Sequence, residues 1–122
     1  MKRGLGAMTV SQLVERFTDA ALKQFRAELY DETNRYNRLF DDILAIGQEL
    51  KDRAGDQRVA LVPLFSHSNP QVRLMAAEMA LAVAPVAARQ TLQELWDRKV
   101  FPQAANAIGT LRALERGDRS PT

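Results

Sequence analysis

At 122 residues, with 46% hydrophobic and 26% charged residues, the chain suits one globular domain and is short for two. It has no cysteine and one histidine, which excludes disulfide scaffolds, cysteine zinc sites, thiol nucleophiles and any histidine pair. The net charge is only +2; the isoelectric point near 9.3 reflects cations that are mostly arginine, not a strong field.

In chain order, residues 1–8 read as a flexible extension, with Met8 an alternative start. Thr9 reads as an N-cap whose capping box is completed by Gln12, with Met8 and Leu13 as the hydrophobic staple. Val10, Leu13, Val14, Phe17, Ala20, Ala21 and Phe25 then mark one face of a first helix, with Asp19 and Lys23 spaced for an ion pair opposite. Tyr30 to Thr33 carry capping residues without an apolar period and predict a turn. A second helix of about 20 residues follows, its stripe formed by Tyr36, Leu39, Phe40, Ile43, Ile46, Gly47 and Leu50. Gly55 and Asp56 separate it from a short third helix, Val59 to Phe65, which Pro63 should kink.

Asn69-Pro70 is an N-cap followed by proline at the first helical position. The fourth helix it opens, from Val72 to Val83, is apolar on nearly every side and is expected at the centre of the domain. Pro85 opens a fifth helix with Ala88, Leu92, Leu95 and Trp96 inward. Pro102 opens a sixth with Ala104, Ala107, Ile108, Leu111 and Leu114 inward, and Gly117 stops it. No β-alternation occurs. The fold class is all-α: six helices in three antiparallel hairpins, as one domain over 9–116 with a loose tail at 117–122.

Leu61-Val62-Pro63-Leu64-Phe65, a tight turn, and then Val72-Arg73 with Ala76-Ala77 and Leu81 resemble the HEAT repeat. Ala104-Ala105 and Leu111 look like a degenerate second copy. The chain is also similar to small bacterial HEAT-like domains of unassigned function. The resemblance implies a right-handed α-α superhelical stack, a short solenoid whose second helices line a surface for another macromolecule. In such repeats the turn usually holds an aspartate that the second-helix arginine reaches; His67 stands near that place. Arg73 then needs another partner, such as Asn69 or Asp42.

Asn34-Arg35-Tyr36-Asn37-Arg38 is the most site-like run, with two amides, two guanidiniums and an aromatic in little more than one turn. The run can also serve the helix, with Tyr36 in the core and the other four capping or solvating the first turn of the second helix. Two arginines near a helix N-terminus oppose the macrodipole, which adds weight to a binding role. Asn34, Arg35, Asn37, Arg38, Asp41 and Arg73 are the candidate partner-binding residues. Adjacent Asp41 and Asp42 point about 100° apart on a helix, which disfavours a metal pair. His67 reads as an exposed turn residue. Trp96 reads as core by its register with Leu92 and Leu95.

No phosphate loop, dinucleotide fingerprint or nucleophile elbow is present, so no catalytic residue, cofactor or metal is expected. The leading function is a non-catalytic protein-binding module, such as a bacterial adaptor or a toxin-immunity protein. A nucleic-acid-binding helical repeat is the alternative, although acids interleave the cations almost everywhere. A carboxylate-dependent hydrolase using Asp41 with Glu78 comes last. No run approaches the ~18 apolar residues of a membrane span, so a cytoplasmic monomer or weak homodimer is expected.

Overall fold

The computed structural model describes residues 4–122, and among them there are five α-helices, two 3₁₀ segments and no strand. The helices are α1 (Val10–Leu29), α2 (Thr33–Asp52), α3 (Pro70–Met79), α4 (Pro85–Asp97) and α5 (Gln103–Arg116). The 3₁₀ segments are Leu5–Ala7 and Gln57–Ser66. The chain divides into two compact units, the first ending at Ala60 and the second running from Leu61 to Thr122. That boundary falls inside the second 3₁₀ segment, within the span 9–116 that the sequence reads as one domain.

In the first unit, Thr9 and Gln12 form the capping box reciprocally, at 3.1 and 2.9 Å, so two orphan amides at the start of α1 are satisfied. A three-residue link then returns the chain as α2, which packs along α1 as a helical hairpin. Leu13, Phe17, Ala20, Ala21 and Ala27 of α1 and Ile43, Ile46 and Leu50 of α2 are buried. Full burial of a Leu or Phe side chain contributes about 1.5–3 kcal/mol, so these residues dominate the unit's stability. The predicted α2 stripe is deep only in its C-terminal half, for Tyr36 and Leu39 are half-buried and Phe40 is exposed.

Residues 1–3 of the expected extension lie outside the described residues. From Gly4 onward the chain is not loose: Leu5 is buried, and its carbonyl accepts from Arg53 Nη2 at 3.0 Å while Arg53 Nε reaches Glu49 at 2.9 Å. An apolar side chain with somewhere to pack, and a carbonyl with a cationic donor, hold residues 5–7 on α2.

The third expected helix is 3₁₀, not kinked α. Pro63 has no N–H, and its ring excludes the carbonyl four residues back, so the tighter i→i+3 turns replace α turns there. Ahead of it, Asp56 takes both Nε and Nη2 of Arg58, at 2.9 and 2.7 Å, and also accepts the Arg58 backbone N–H. The guanidinium is buried, with 8% of its side chain exposed.

In the second unit, Asn69 caps α3 by accepting from the backbone N–H groups of Gln71 and Val72. Val72, Leu74, Met75, Ala76, Ala77, Ala80 and Leu81 are all buried, as expected of a helix apolar on nearly every side. α3 is shorter than the sequence suggests. It stops at Met79, four residues before Val83, because the turn Ala80–Ala84 leads into Pro85 at the first position of α4.

α4 and α5 pack on each other and on α3. Ala88, Leu92, Leu95, Ala104, Ala107 and Leu111 are buried as predicted, while Ile108 and Leu114 are half-buried. Gly117 ends α5 with φ +78°, the left-handed conformation that favours glycine. The tail beyond it is not loose at its start, because the Asp118 and Arg119 amides both donate to the Ala113 carbonyl.

Two side-chain bonds define how α3 and α5 lie. Gln103 Nε2 donates to Gln71 Oε1 at 2.9 Å, and Thr110 Oγ1 donates to Glu78 Oε2; both pairs are 32 residues apart in sequence. A common offset at two points two turns apart makes α3 and α5 parallel and in register. The register differs from the one that aligns Ala104-Ala105 with Ala76-Ala77. It instead superposes Pro70-Gln71 on Pro102-Gln103.

The Arg58 side chain holds the Asp56 carboxyl below its ordinary range, chiefly by hydrogen bonding and against the opposing effect of burial. A depressed carboxyl stabilises the fold in full above its unfolded value near 4, and that stabilisation disappears as pH falls through the lowered folded value. Asp56→Asn should therefore cost about 1–3 kcal/mol at neutral pH in urea titration, and should flatten the stability loss that sets in as pH falls below the unfolded carboxyl value near 4. Unchanged stability at pH 7 would count against the pair.

Candidate functional site

The candidate residues Asn34, Arg35, Asn37, Arg38 and Asp41 sit on the first three turns of α2 and are all exposed. At 100° per residue, Asn34, Asn37, Arg38 and Asp41 share one face, and Arg35 stands at its margin. The same turns carry the poorly buried end of the apolar stripe, so Phe40 (38% exposed) and Leu44 (46%) flank the polar face. Arg38 is spaced to pair with Asp41 or Asp42, yet no ion pair joins them. Among the described residues neither Arg35 nor Arg38 has a hydrogen-bond or salt-bridge partner.

Arg73 behaves differently. Its Nη1 donates to the backbone carbonyls of His67 and Ser68 at 2.8 and 3.1 Å. The partner that the sequence sought in Asn69 or Asp42 is thus the backbone of the turn itself. His67 is not simply an exposed turn residue: it is half-buried, and its Nδ1 accepts the Asn69 backbone N–H at 3.0 Å. Together these two side chains brace the turn before α3, where the HEAT resemblance would place an aspartate.

Trp96 is half-buried, not core. Lys99 Nζ lies 3.5 Å from its ring centroid, and the exposed Phe101 ring meets its edge at 6.3 Å. It shares the register of Leu92 and Leu95, but α4 ends at Asp97, one residue beyond it, and the indole stays half-buried. Glu78, paired with Asp41 in the hydrolase reading, has both carboxylate oxygens engaged, one by Thr110 and one by Arg119.

A shallow groove of about 560 Å³ runs along α1, lined chiefly by Val10, Val14, Thr18 and Leu22 with Glu15 and Asp19 at its edge. Among the described residues no group of three or more His, Asp or Glu side chains is placed to hold a metal. No described helix is long and apolar enough to cross a membrane.

The sequence missed the buried polar residues Gln71, Gln103 and Thr110. Polar residues inside an amphipathic pattern read as solvent-facing. The recurrence of Pro-Gln after 32 residues was the available signal.

The structure separates braced from unbraced arginines, and urea denaturation should follow it. Arg73→Ala removes donors from two turn carbonyls and should cost about 1–2 kcal/mol. Arg35→Ala and Arg38→Ala should each stay within about 0.5 kcal/mol of the unsubstituted chain. A loss at Arg38 equal to that at Arg73 would mean that the α2 face serves folding.

With this geometry in hand, comparison with known proteins gives three results. The model of a family described as Domain of unknown function (DUF2019) matches residues 11–115. A crystal structure of the protein RPA1889 from Rhodopseudomonas palustris CGA009 is similar with a TM-score of 0.95 and 45% identity. That likeness covers 97% of this chain and 98% of that one. No curated protein matches.

Proposed function

The chain belongs to the DUF2019 family, and we propose that it is a non-catalytic protein-binding module, a HEAT-like right-handed α-α stack acting as a bacterial adaptor or toxin-immunity protein. The observation that carries this reading is the start of α2. Two exposed guanidiniums without partners among the described residues stand beside two amides, an exposed Phe40 and an exposed Leu44. Arginine and aromatic side chains are enriched where protein surfaces meet, and an arginine at a helix start with no partner among the described residues is placed to meet another protein's carboxylate.

The repeat reading is supported by the parallel, in-register α3 and α5, whose equivalent positions 71 and 103, and 78 and 110, bond to each other. Stacking of successive units on equivalent helices is how solenoids grow. A weak field at net +2, with Asp41 and Asp42 next to the arginines, favours a protein over nucleic acid. The module is proposed to work in the cytoplasm, as a monomer or weak homodimer.

The test is affinity capture from the native host with the unsubstituted chain and with Arg35→Glu/Arg38→Glu, which should fold equally well. A stoichiometric protein held by the first and reduced at least tenfold with the second is the expected outcome, corresponding to a loss of about 1.4 kcal/mol or more. Retention of nucleic acid instead, or of one protein equally by both, contradicts the reading.

A further inference from the structure

Glu78 lies on α3 at the seam with α5, and its side chain is only 19% exposed. One carboxylate oxygen accepts from Thr110 on α5, which is itself buried; the other accepts from the guanidinium of Arg119, whose Nη1 also lies 3.3 Å from Thr110 Oγ1. A carboxylate and a hydroxyl held on two helices in register therefore present a pair of acceptors on which a guanidinium is already seated. We propose that Glu78 and Thr110 are a guanidinium-binding site for a partner's arginine, filled in cis by the chain's own Arg119.

The residue that fills the site is the reason to read it this way. Arg119 does not come from a helix. It follows the stop at Gly117, its side chain is 40% exposed, and its backbone is held by one shared carbonyl, Ala113. The other strong pair of the molecule is built oppositely: Arg58 is 8% exposed and grips an aspartate two residues away with two nitrogens. Arg119 is half exposed and reaches Glu78 through one nitrogen, so another guanidinium can take its place where none can replace Arg58. The half-buried carboxylate cannot be left without a cation cheaply, so departure of the tail requires another to replace it.

Arginine suits the site better than lysine, since a planar fork can reach the carboxylate and the hydroxyl together. The tail acts as a tethered competitor, whose effective concentration a partner's arginine must exceed with contacts of its own. The site is in the second unit and uses none of the α2 residues, so it goes beyond the function proposed above and stands or falls separately.

The test titrates N-acetyl-L-arginine amide into the ¹⁵N-labelled full chain and follows the amides of Gly109, Thr110 and Met79 by NMR. Arg119→Ala should give saturable shifts with a midpoint on the order of tenfold lower than the unsubstituted chain, because the competitor is gone. Adding Glu78→Gln should abolish them, and the corresponding lysine amide should bind more weakly. Should Arg119→Ala not fold, Arg119→Lys supplies the same comparison, with a midpoint below that of the unsubstituted chain. Shifts that never saturate in any Arg119 variant, or that persist with Glu78→Gln, would overturn the proposal and leave Arg119 as a structural clip only.

Discussion

A helix apolar on nearly every side must be covered on nearly every side, and α3 imposes that condition on its unit. Val72, Leu74, Ala76, Ala77 and Ala80 expose essentially nothing, and the alanines let neighbouring backbones come close. α4 and α5 meet this demand, and α5 does so in strict register with α3. Once that register exists, Gln71 finds Gln103 and Glu78 finds Thr110. Buried amides and carboxylates that miss their partners are costly, so these bonds hold the register in return.

The first unit has a looser condition. α1 and α2 each need cover on one face only, and the cover runs out toward the start of α2, where Tyr36 is half-buried and Phe40 exposed. The same turns carry arginines that the helix macrodipole disfavours and that form no ion pair among the described residues. Folding alone gives no reason for that combination, whereas recognition of a carboxylate-bearing partner does. Across the molecule the arginines divide into braced and unbraced. Arg53, Arg58 and Arg73 hold loops and turns; Arg35 and Arg38 hold nothing among the described residues; Arg119 is bonded to Glu78 and Thr110 from a half-exposed position.

Much of this was legible from residue order, because local signals acted locally. The Thr9–Gln12 box, the Asn69-Pro70 start, the Gly117 stop and the all-round apolar character of α3 each act within one or two turns. What was not legible depends on contacts distant in sequence. Pro63 was read as a kink, but whether a proline kinks an α-helix or tightens it to 3₁₀ depends on what surrounds it. Arg73 was assigned a side-chain partner and found backbone carbonyls, since a tight turn offers those first. The burial of Gln71 and Gln103 is invisible in the sequence because only the register of α3 and α5 buries them. The exposed face of α2 was found because charge against the dipole is a local misfit, visible without any tertiary structure.

Native-state amide hydrogen exchange tests the organising role of α3 most directly. The account predicts that the slowest amides of the chain lie in residues 74–80 and 107–111, opening only with global unfolding, while residues 34–40 exchange by local fluctuation. Fast exchange in α3 alongside strong protection at the start of α2 would contradict it, placing the rigid centre where the account puts an open surface.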